Sequence, residues 1–307
     1  MSEVFDLAIV GSGPAGLTAY LYAARARLKV VLLERLSPGG QVLITDFVEN
    51  YPGFPEGIAG WELIDRFVAQ VKKLGFEPLR EEVTKIEDLG QYKKLHLAGG
   101  KELLAKTVII ATGARPNTLN VPGEKELTGR GVSYCATCDG PFFRDQVVAV
   151  VGGGNTAVQE AIFLTRFAKK VFLIHRRDEL RAQKILQERA LSNEKIHPIW
   201  NTVVEEILGD EKVKALKLKN HKTGEVSELP VDGVFIFIGT SPQSEFVKDL
   251  LECDERGFII TDAEMRTNVP GIFAAGDVRA KACRQIITAC GDGATAAFMA
   301  EHYLAEL

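Results

Sequence analysis

Leu7-Ala8-Ile9-Val10-Gly11-Ser12-Gly13-Pro14-Ala15-Gly16 is repeated in kind by Val148-Ala149-Val150-Val151-Gly152-Gly153-Gly154-Asn155-Thr156-Ala157. In each stretch an apolar run of strand character ends in a cluster spaced Gly-x-Gly-x-x-Gly or Gly-x-Gly-x-x-Ala. A second pair follows in the same order, Val108-Ile109-Ile110-Ala111-Thr112-Gly113 and Val234-Phe235-Ile236-Phe237-Ile238-Gly239. Buried-type strands that end in glycine and recur in one order predict an α/β protein of two related, doubly wound, Rossmann-like units.

The first stretch opens a complete βαβ pattern: strand, turn, a helical run from Leu17 to Ala26, then the strand Val30-Val31-Leu32-Leu33 ending in Glu34. Gly11 permits the tight turn, Gly13 lets the backbone approach a pyrophosphate, and Gly16 lets helix and strand pack closely. The positive end of the helix suits that pyrophosphate, and Glu34 suits ribose hydroxyls while repelling a 2′-phosphate, so this half reads as a site for FAD or NAD. The second stretch has the strand Val147 to Val151, a helix running to about Ala168, and the strand Val171-Phe172-Leu173-Ile174 ending in His175-Arg176-Arg177. Guanidinium groups grip a 2′-phosphate bidentately, so this half reads as an NADPH site. Arg181 is expected to join Arg177 on one helical face, four residues on.

Between the two lies Cys135-Ala136-Thr137-Cys138-Asp139-Gly140. Two thiols with this spacing can close a disulfide on one helical turn and so take up and release an electron pair. A zinc site is the rival reading. It normally needs a second Cys or His pair, which Cys253, Cys283 and Cys290 do not form, so no metal is expected. A hydride also carries two electrons, and a relay from NADPH through a flavin to Cys135 and Cys138 accounts for two nucleotide sites in one chain.

Composition sets the outer limits. A chain of 307 residues with 46% hydrophobic residues allows about two domains with ample cores. A net charge of −4 argues against an extended nucleic-acid or anionic-membrane surface. The start, Met1-Ser2-Glu3 running into Phe5 to Val10, leaves no room for a leader, and no apolar run reaches membrane-span length, so a cytoplasmic protein is expected. Five cysteines with one close pair do not form a disulfide framework. Pro116 to Glu124 and Gly239 to Ser244, rich in Pro, Gly, Asn and Ser, read as the crossings between domains. Gly271-Ile272-Phe273-Ala274-Ala275-Gly276-Asp277 reads as another buried strand, and the run from Gln285 onward as a long helix with a small-residue face. Both are expected to return to the first unit, which makes the second an insertion.

The whole combination closely resembles the low-molecular-weight, bacterial and archaeal-type thioredoxin reductases, a class of pyridine nucleotide-disulphide oxidoreductases. The likeness runs from Gly11–Gly16 through Gly39-Gly40-Gln41, Asn50-Tyr51-Pro52-Gly53, Ala111-Thr112-Gly113 and Cys135–Gly140 to Gly152–Ala157, His175-Arg176-Arg177-Asp178 with Arg181, Gly276-Asp277-Val278 and Arg284-Gln285. It implies an FAD domain from 1–115 and 245–307, and an inserted NADPH domain, 116–244, that carries the thiols. FAD would be held by Gly11, Ser12, Gly13, Pro14, Ala15 and Glu34, by Gly40, Gln41 and Asn50, and by Ala111, Thr112 and Gly113. Asp277 after Gly276 would bind its ribityl or pyrophosphate side, with Arg284 and Gln285 near the ring. NADPH would be held by Gly154, Asn155 and Thr156 with His175, Arg176, Arg177 and Arg181. The resemblance further implies that Cys138 receives electrons from the flavin, that Cys135 attacks the disulfide of thioredoxin, and that Asp139 is the acid protonating a thiolate. It also implies a homodimer whose NADPH domain rotates about the two crossings. A sibling reductase acting on another thioredoxin-fold or glutaredoxin-like protein, or a redox sensor, remain the alternatives. Cys253, Cys283 and Cys290 read as small apolar residues, the last two sharing a helix face, and Trp61 and Trp200 as packing residues.

Overall fold

The computed structural model describes residues 4–45 and 47–307. Among these it holds six α-helices: α1 (Pro14–Arg25), α2 (Gly60–Lys72), α3 (Ala136–Asp139), α4 (Asn155–Leu164), α5 (Lys184–Leu191) and α6 (Ile286–Ala305). The chain divides into two compact units, one formed by Met1–Arg115 with Ser241–Leu307, the other by Pro116–Thr240.

In the first unit the strand Val4–Val10 pairs in parallel with Val30–Leu33 on one side and Glu102–Ile110 on the other. Glu102–Ile110 divides its length between two further partners. Its first half pairs antiparallel with Lys93–Leu97, and its last residues pair in parallel with Ile272–Ala274, Ile272 opposite Val108. The C-terminal segment thus completes a sheet begun by the N-terminal one. Leu7, Ala8, Ile9 and Ile109 are fully buried, which explains why these strands read as continuous apolar runs rather than alternating ones.

Helix α1 starts at Pro14, earlier than the apolar run from Leu17, because proline at the first helical position lacks only an N–H that has no intrahelical partner there. Helix α6 opens with a reciprocal cap: the Gln285 side chain accepts from the Thr288 N–H, and the Gln285 N–H donates to Thr288 Oγ1 at 3.2 Å. Its buried residues are Ala289, Cys290, Gly293, Ala296, Ala297 and Ala300. This stripe brings α6 so near α1 that a Cβ on Gly293 would overlap the Ala15 carbonyl. Close backbone packing of this kind rests on many small dispersion contacts, and a leucine at Ala296 would force the helices apart at a cost of about 1–3 kcal/mol.

The second unit has a five-stranded parallel sheet in the order Ile196–Ile199, Lys170–Ile174, Val147–Val151, Gly233–Ile236, Val132–Ser133. Val148 and Val150 join Ala157, Val158, Ala161 and Leu164 of α4 in one cluster. Ala149 and Val151 join Val204, Ile207, Leu216 and Leu218 of the antiparallel sheet Thr202–Gly209, Val213–Asn220, Val226–Pro230 in another. The two-residue period of the central strand therefore divides its side chains between two cores.

Several expectations need correction. Helix α4 ends at Leu164, not near Ala168, because the Lys195 ammonium donates to the Thr165 and Ala168 carbonyls at 2.8 and 3.0 Å and satisfies the helix end from outside. Residues 175–183 are not helical, so Arg177 and Arg181 share no helical face. Their backbone groups are committed elsewhere: the His175 N–H to the Ile199 carbonyl, the Arg177 carbonyl to the Asn201 N–H, and the Arg181 N–H to the Gly153 carbonyl at 2.7 Å. Cys283 precedes α6 and is exposed, while Cys290 is buried within it, so the two share no face. Trp61 is 58% exposed rather than packed.

Candidate functional site: two nucleotide cradles and a redox pair

The first glycine turn is assembled from distant parts of the chain. A Cβ on Gly11 would lie 2.6 Å from the Ala111 carbonyl, and one on Gly276 would lie 2.9 Å from the Ala15 side chain, so the Ala111–Gly113 and Gly276–Asp277 segments close upon the turn. Gly39 donates its N–H to the Ser12 carbonyl at 2.8 Å and brings Gly40 beside Gly13, where a Gly40 Cβ would be 3.4 Å from the Gly13 Cα. Glu34 faces this turn: Oε2 accepts the Ser12 N–H at 3.0 Å and the Ser12 hydroxyl at 2.6 Å, and Oε1 accepts the Leu36 N–H at 2.9 Å. A carboxylate has about four lone-pair sites, so Glu34 keeps capacity for a ribose hydroxyl.

Asn50 and Gln285 meet, Asn50 Nδ2 donating to Gln285 Oε1 at 3.0 Å. Arg284 lies over the Phe258 ring at 4.0 Å and donates to the Asp277 and Arg279 carbonyls, which fixes the loop carrying Asp277. Burial holds the Asp277 carboxyl above the usual aspartate range, against the pull of Lys281 and Arg284. Gln41 lies, exposed, in the short 3-10 turn Gly40–Ile44.

The redox pair is closed: Cys135 and Cys138 are joined by a disulfide, with Cα atoms 5.3 Å apart. Cys135 caps α3, and its Sγ accepts the Cys138 N–H at 3.2 Å. That bond stabilises a thiolate on Cys135 when the disulfide opens. Asp139 ends α3, its N–H donating to the Cys135 carbonyl at 3.0 Å. The described residues hold no cluster of His, Cys, Asp and Glu fit for a metal ion.

In the second cradle a Cβ on Gly153 would overlap the His175 ring, so the imidazole lies directly against the turn. His175 is 4% exposed and its pKa is lowered, first by burial and then by Arg181, Arg177 and Arg176. Asn155 Oδ1 accepts the Gln183 N–H at 2.8 Å, which with the Arg181–Gly153 bond folds the 175–183 loop back on the turn. Arg176, Arg177 and Arg181 are exposed, and none forms an ion pair with a described carboxylate. Asp178, next to Arg177 in sequence, is paired with Lys222 at 2.7 Å instead.

Both cradles fit the nucleotides expected of them. In the first, Asp277 Oδ1 is buried without a hydrogen-bond partner, and Cβ atoms on Gly13 or Gly113 would meet nothing within 4 Å. In the second, His175 Nε2 is buried without a partner, and a Cβ on Gly154 would likewise meet nothing within 4 Å. Residues not singled out from sequence support these loops. Asp292 on α6 accepts from the Gly276 N–H at 3.0 Å, Lys281 at 2.9 Å and Arg279 at 3.1 Å, and Gln243 exchanges two 2.6 Å bonds with Thr112. An acid on the small-residue face of α6 was the only signal for Asp292. Gln243 carried none.

A family model described as pyridine nucleotide-disulphide oxidoreductase matches residues 5–293. The chain is 52% identical to the thioredoxin reductase of Peptoclostridium litorale over 100% of its own length and 99% of that protein. It is 51% identical to the thioredoxin reductase of Bacillus subtilis (strain 168), covering 100% and 98%. The crystal structure of thioredoxin reductase from Streptococcus pyogenes MGAS5005 is similar with a TM-score of 0.96 at 52% identity, covering 100% of both chains. With two nucleotide cradles, a closed thiol pair and these likenesses, the chain belongs to the pyridine nucleotide-disulphide oxidoreductase family, as an FAD-containing, NADPH-dependent oxidoreductase.

Proposed function

We propose that this chain reduces the disulfide of thioredoxin with electrons from NADPH, through FAD and then Cys135 and Cys138. The observation that carries this reading is the closed Cys135–Cys138 disulfide on the first turn of α3, in the same unit as the His175–Arg181 loop. When bound, NADPH supplies a hydride and FAD relays its electron pair to the disulfide.

The residues divide the remaining work. Arg176, Arg177 and Arg181 hold the 2′-phosphate, with the Gly152–Ala157 turn against the pyrophosphate. Glu34 and the Gly11–Gly16 turn hold FAD on its adenosine side, with Asp277 on the ribityl or pyrophosphate side and Arg284 bracing the Asp277 loop. Gln285, with Asn50, orders the start of α6. The Cys138 N–H holds negative charge on Cys135 Sγ, which makes Cys135 the better leaving group as electrons arrive at Cys138. Cys135 is then the thiolate that attacks thioredoxin, and Asp139 supplies the proton that neutralises Cys138.

The enzyme works as a homodimer in a reducing compartment. Exposed aromatics on packed helices of the first unit, Tyr22 on α1, Trp61 on α2 and Phe298 on α6, support an apolar interface. The free thiols of Cys253, Cys283 and Cys290 fit the cytoplasm. No described helix is long and apolar enough to cross a membrane. Purified holoenzyme mixed with NADPH and oxidised thioredoxin is expected to consume NADPH, and Cys135→Ser and Cys138→Ser to stop consumption. Parental turnover by both variants would defeat the reading.

A further inference from the structure

Ser133 sits beside the redox pair and has no part in the account so far. It ends the strand Val132–Ser133, is 4% exposed, and has three polar partners. Its Oγ lies 2.5 Å from Asp139 Oδ2, 3.1 Å from the Cys135 nitrogen and 3.3 Å from the Cys135 carbonyl oxygen. A serine hydroxyl has one proton and two lone pairs. The Cys135 N–H takes a lone pair, so the proton must choose between two acceptors. Asp139 Oδ2 is the closer of the two and takes it.

We propose that Ser133 is a positioning residue for Asp139: by donating to Oδ2 it stabilises the carboxylate that remains after proton transfer. The proposal rests on the reading of Asp139 as the acid. Reduction breaks the Cys135–Cys138 bond with two electrons and generates two thiolates. The charge on Cys135 Sγ stays with the Cys138 N–H, the thiolate of Cys138 takes one proton from Asp139, and Ser133 then holds the carboxylate. Because Ser133 also accepts the Cys135 N–H, one buried hydroxyl ties the orientation of the acid to the backbone of the attacking cysteine.

Helix α3 packs against α4 and the turn Gly140–Phe143. Helix α4 carries one titratable side chain, Glu160, whose Oε2 is buried without a partner and whose carboxyl burial holds up. Tyr134, adjacent to Ser133, donates to Glu124 at 2.8 Å, and burial raises its phenol. The turn Gly140–Phe143 and the neighbouring strand Gly233–Ile236 contain no titratable side chain.

The test uses the FAD-loaded full chain with Ser133→Ala, Ser133→Thr, Asp139→Asn and Glu160→Gln. Its direct readout is the carboxyl titration of Asp139 in the oxidised protein, taken as the infrared difference against Asp139→Asn. Ser133→Ala removes a donor to the charged form, so the titration moves up by about one pH unit. The alkaline limb of the kcat profile moves with it, kcat falls about tenfold, and KM for NADPH stays the same. Ser133→Thr restores both. An unmoved titration in Ser133→Ala, with the limb still abolished by Asp139→Asn, overturns the role of Ser133 and leaves the acid in place. A limb that survives Asp139→Asn and disappears in Glu160→Gln overturns the reading of Asp139, and this proposal with it.

Discussion

The two glycine turns begin alike and part company at the edge of the nucleotide. In the first, Glu34 already receives the Ser12 N–H, the Ser12 hydroxyl and the Leu36 N–H, so its carboxylate is held before any ligand arrives. In the second, a buried neutral imidazole lies against the turn and three exposed arginines stand without described carboxylate partners. The helices differ as well. Gly16 meets the Gly11 carbonyl where a side chain would sit, whereas Ala157 occupies the equivalent place and its methyl lies within 2.6 Å of a Cβ built on Gly152. One architecture thus offers a rigid acidic edge in one copy and an open basic edge in the other.

The hardest blow to that comparison is Gly16→Ala. Its methyl would overlap the Gly11 carbonyl, which cannot yield without opening the turn, so a penalty of about 1–3 kcal/mol falls on the first unit. Flavin absorbance per purified chain is expected to collapse, and with it turnover. The counterpart Ala157→Gly removes a methyl from α4, costs about 1 kcal/mol in melting experiments and leaves flavin content unchanged. Equal flavin loss in both would show that the turns are not as different as their packing.

Replacing Arg176 and Arg177 together by Ala comes next in size. Two charge-assisted contacts to a 2′-phosphate are lost, so kcat/KM for NADPH should fall by about a hundredfold or more while that for NADH changes little. An equal loss with both nucleotides would remove the phosphate argument.

A smaller effect concerns pH. The pKa of His175 is lowered in the folded chain, so below the ordinary histidine value near 6.5 the unfolded chain binds a proton that the folded one refuses. Stability present above that value is therefore lost as the pH falls towards the lowered one. His175→Asn should flatten this part of the melting temperature profile below about pH 6.5. An unchanged slope would place the acid sensitivity elsewhere.

Legibility in the sequence followed where the chain's neighbours were local. Val4–Val10 and Val147–Val151 could be read because they are buried, continuous and stopped by glycine, and the small-residue face of α6 because a helix displays its period. The end of α4 could not, since Lys195 sets it from thirty residues away. The four-residue spacing of Arg177 and Arg181 suggests one helical face, yet the backbone bonds of the 175–183 loop go to Ile199, Asn201 and Gly153. In the site, Cys135, Cys138 and the arginines were visible from motif and position. Asp292, Gln243 and Ser133 were not, because each acts on a backbone group or carboxylate that only folding brings near. The approach of Asn50 to Gln285 was foreshadowed by family likeness alone.

The central claim is that electrons from NADPH arrive at one particular pair of sulfurs. Anaerobic addition of one equivalent of NADPH to the oxidised holoenzyme, followed by alkylation and peptide mass spectrometry, tests it without any thioredoxin present. The account predicts that Cys135 and Cys138 are unlabelled before NADPH and both labelled after it. A bleached flavin with the Cys135–Cys138 peptide still unlabelled would contradict it.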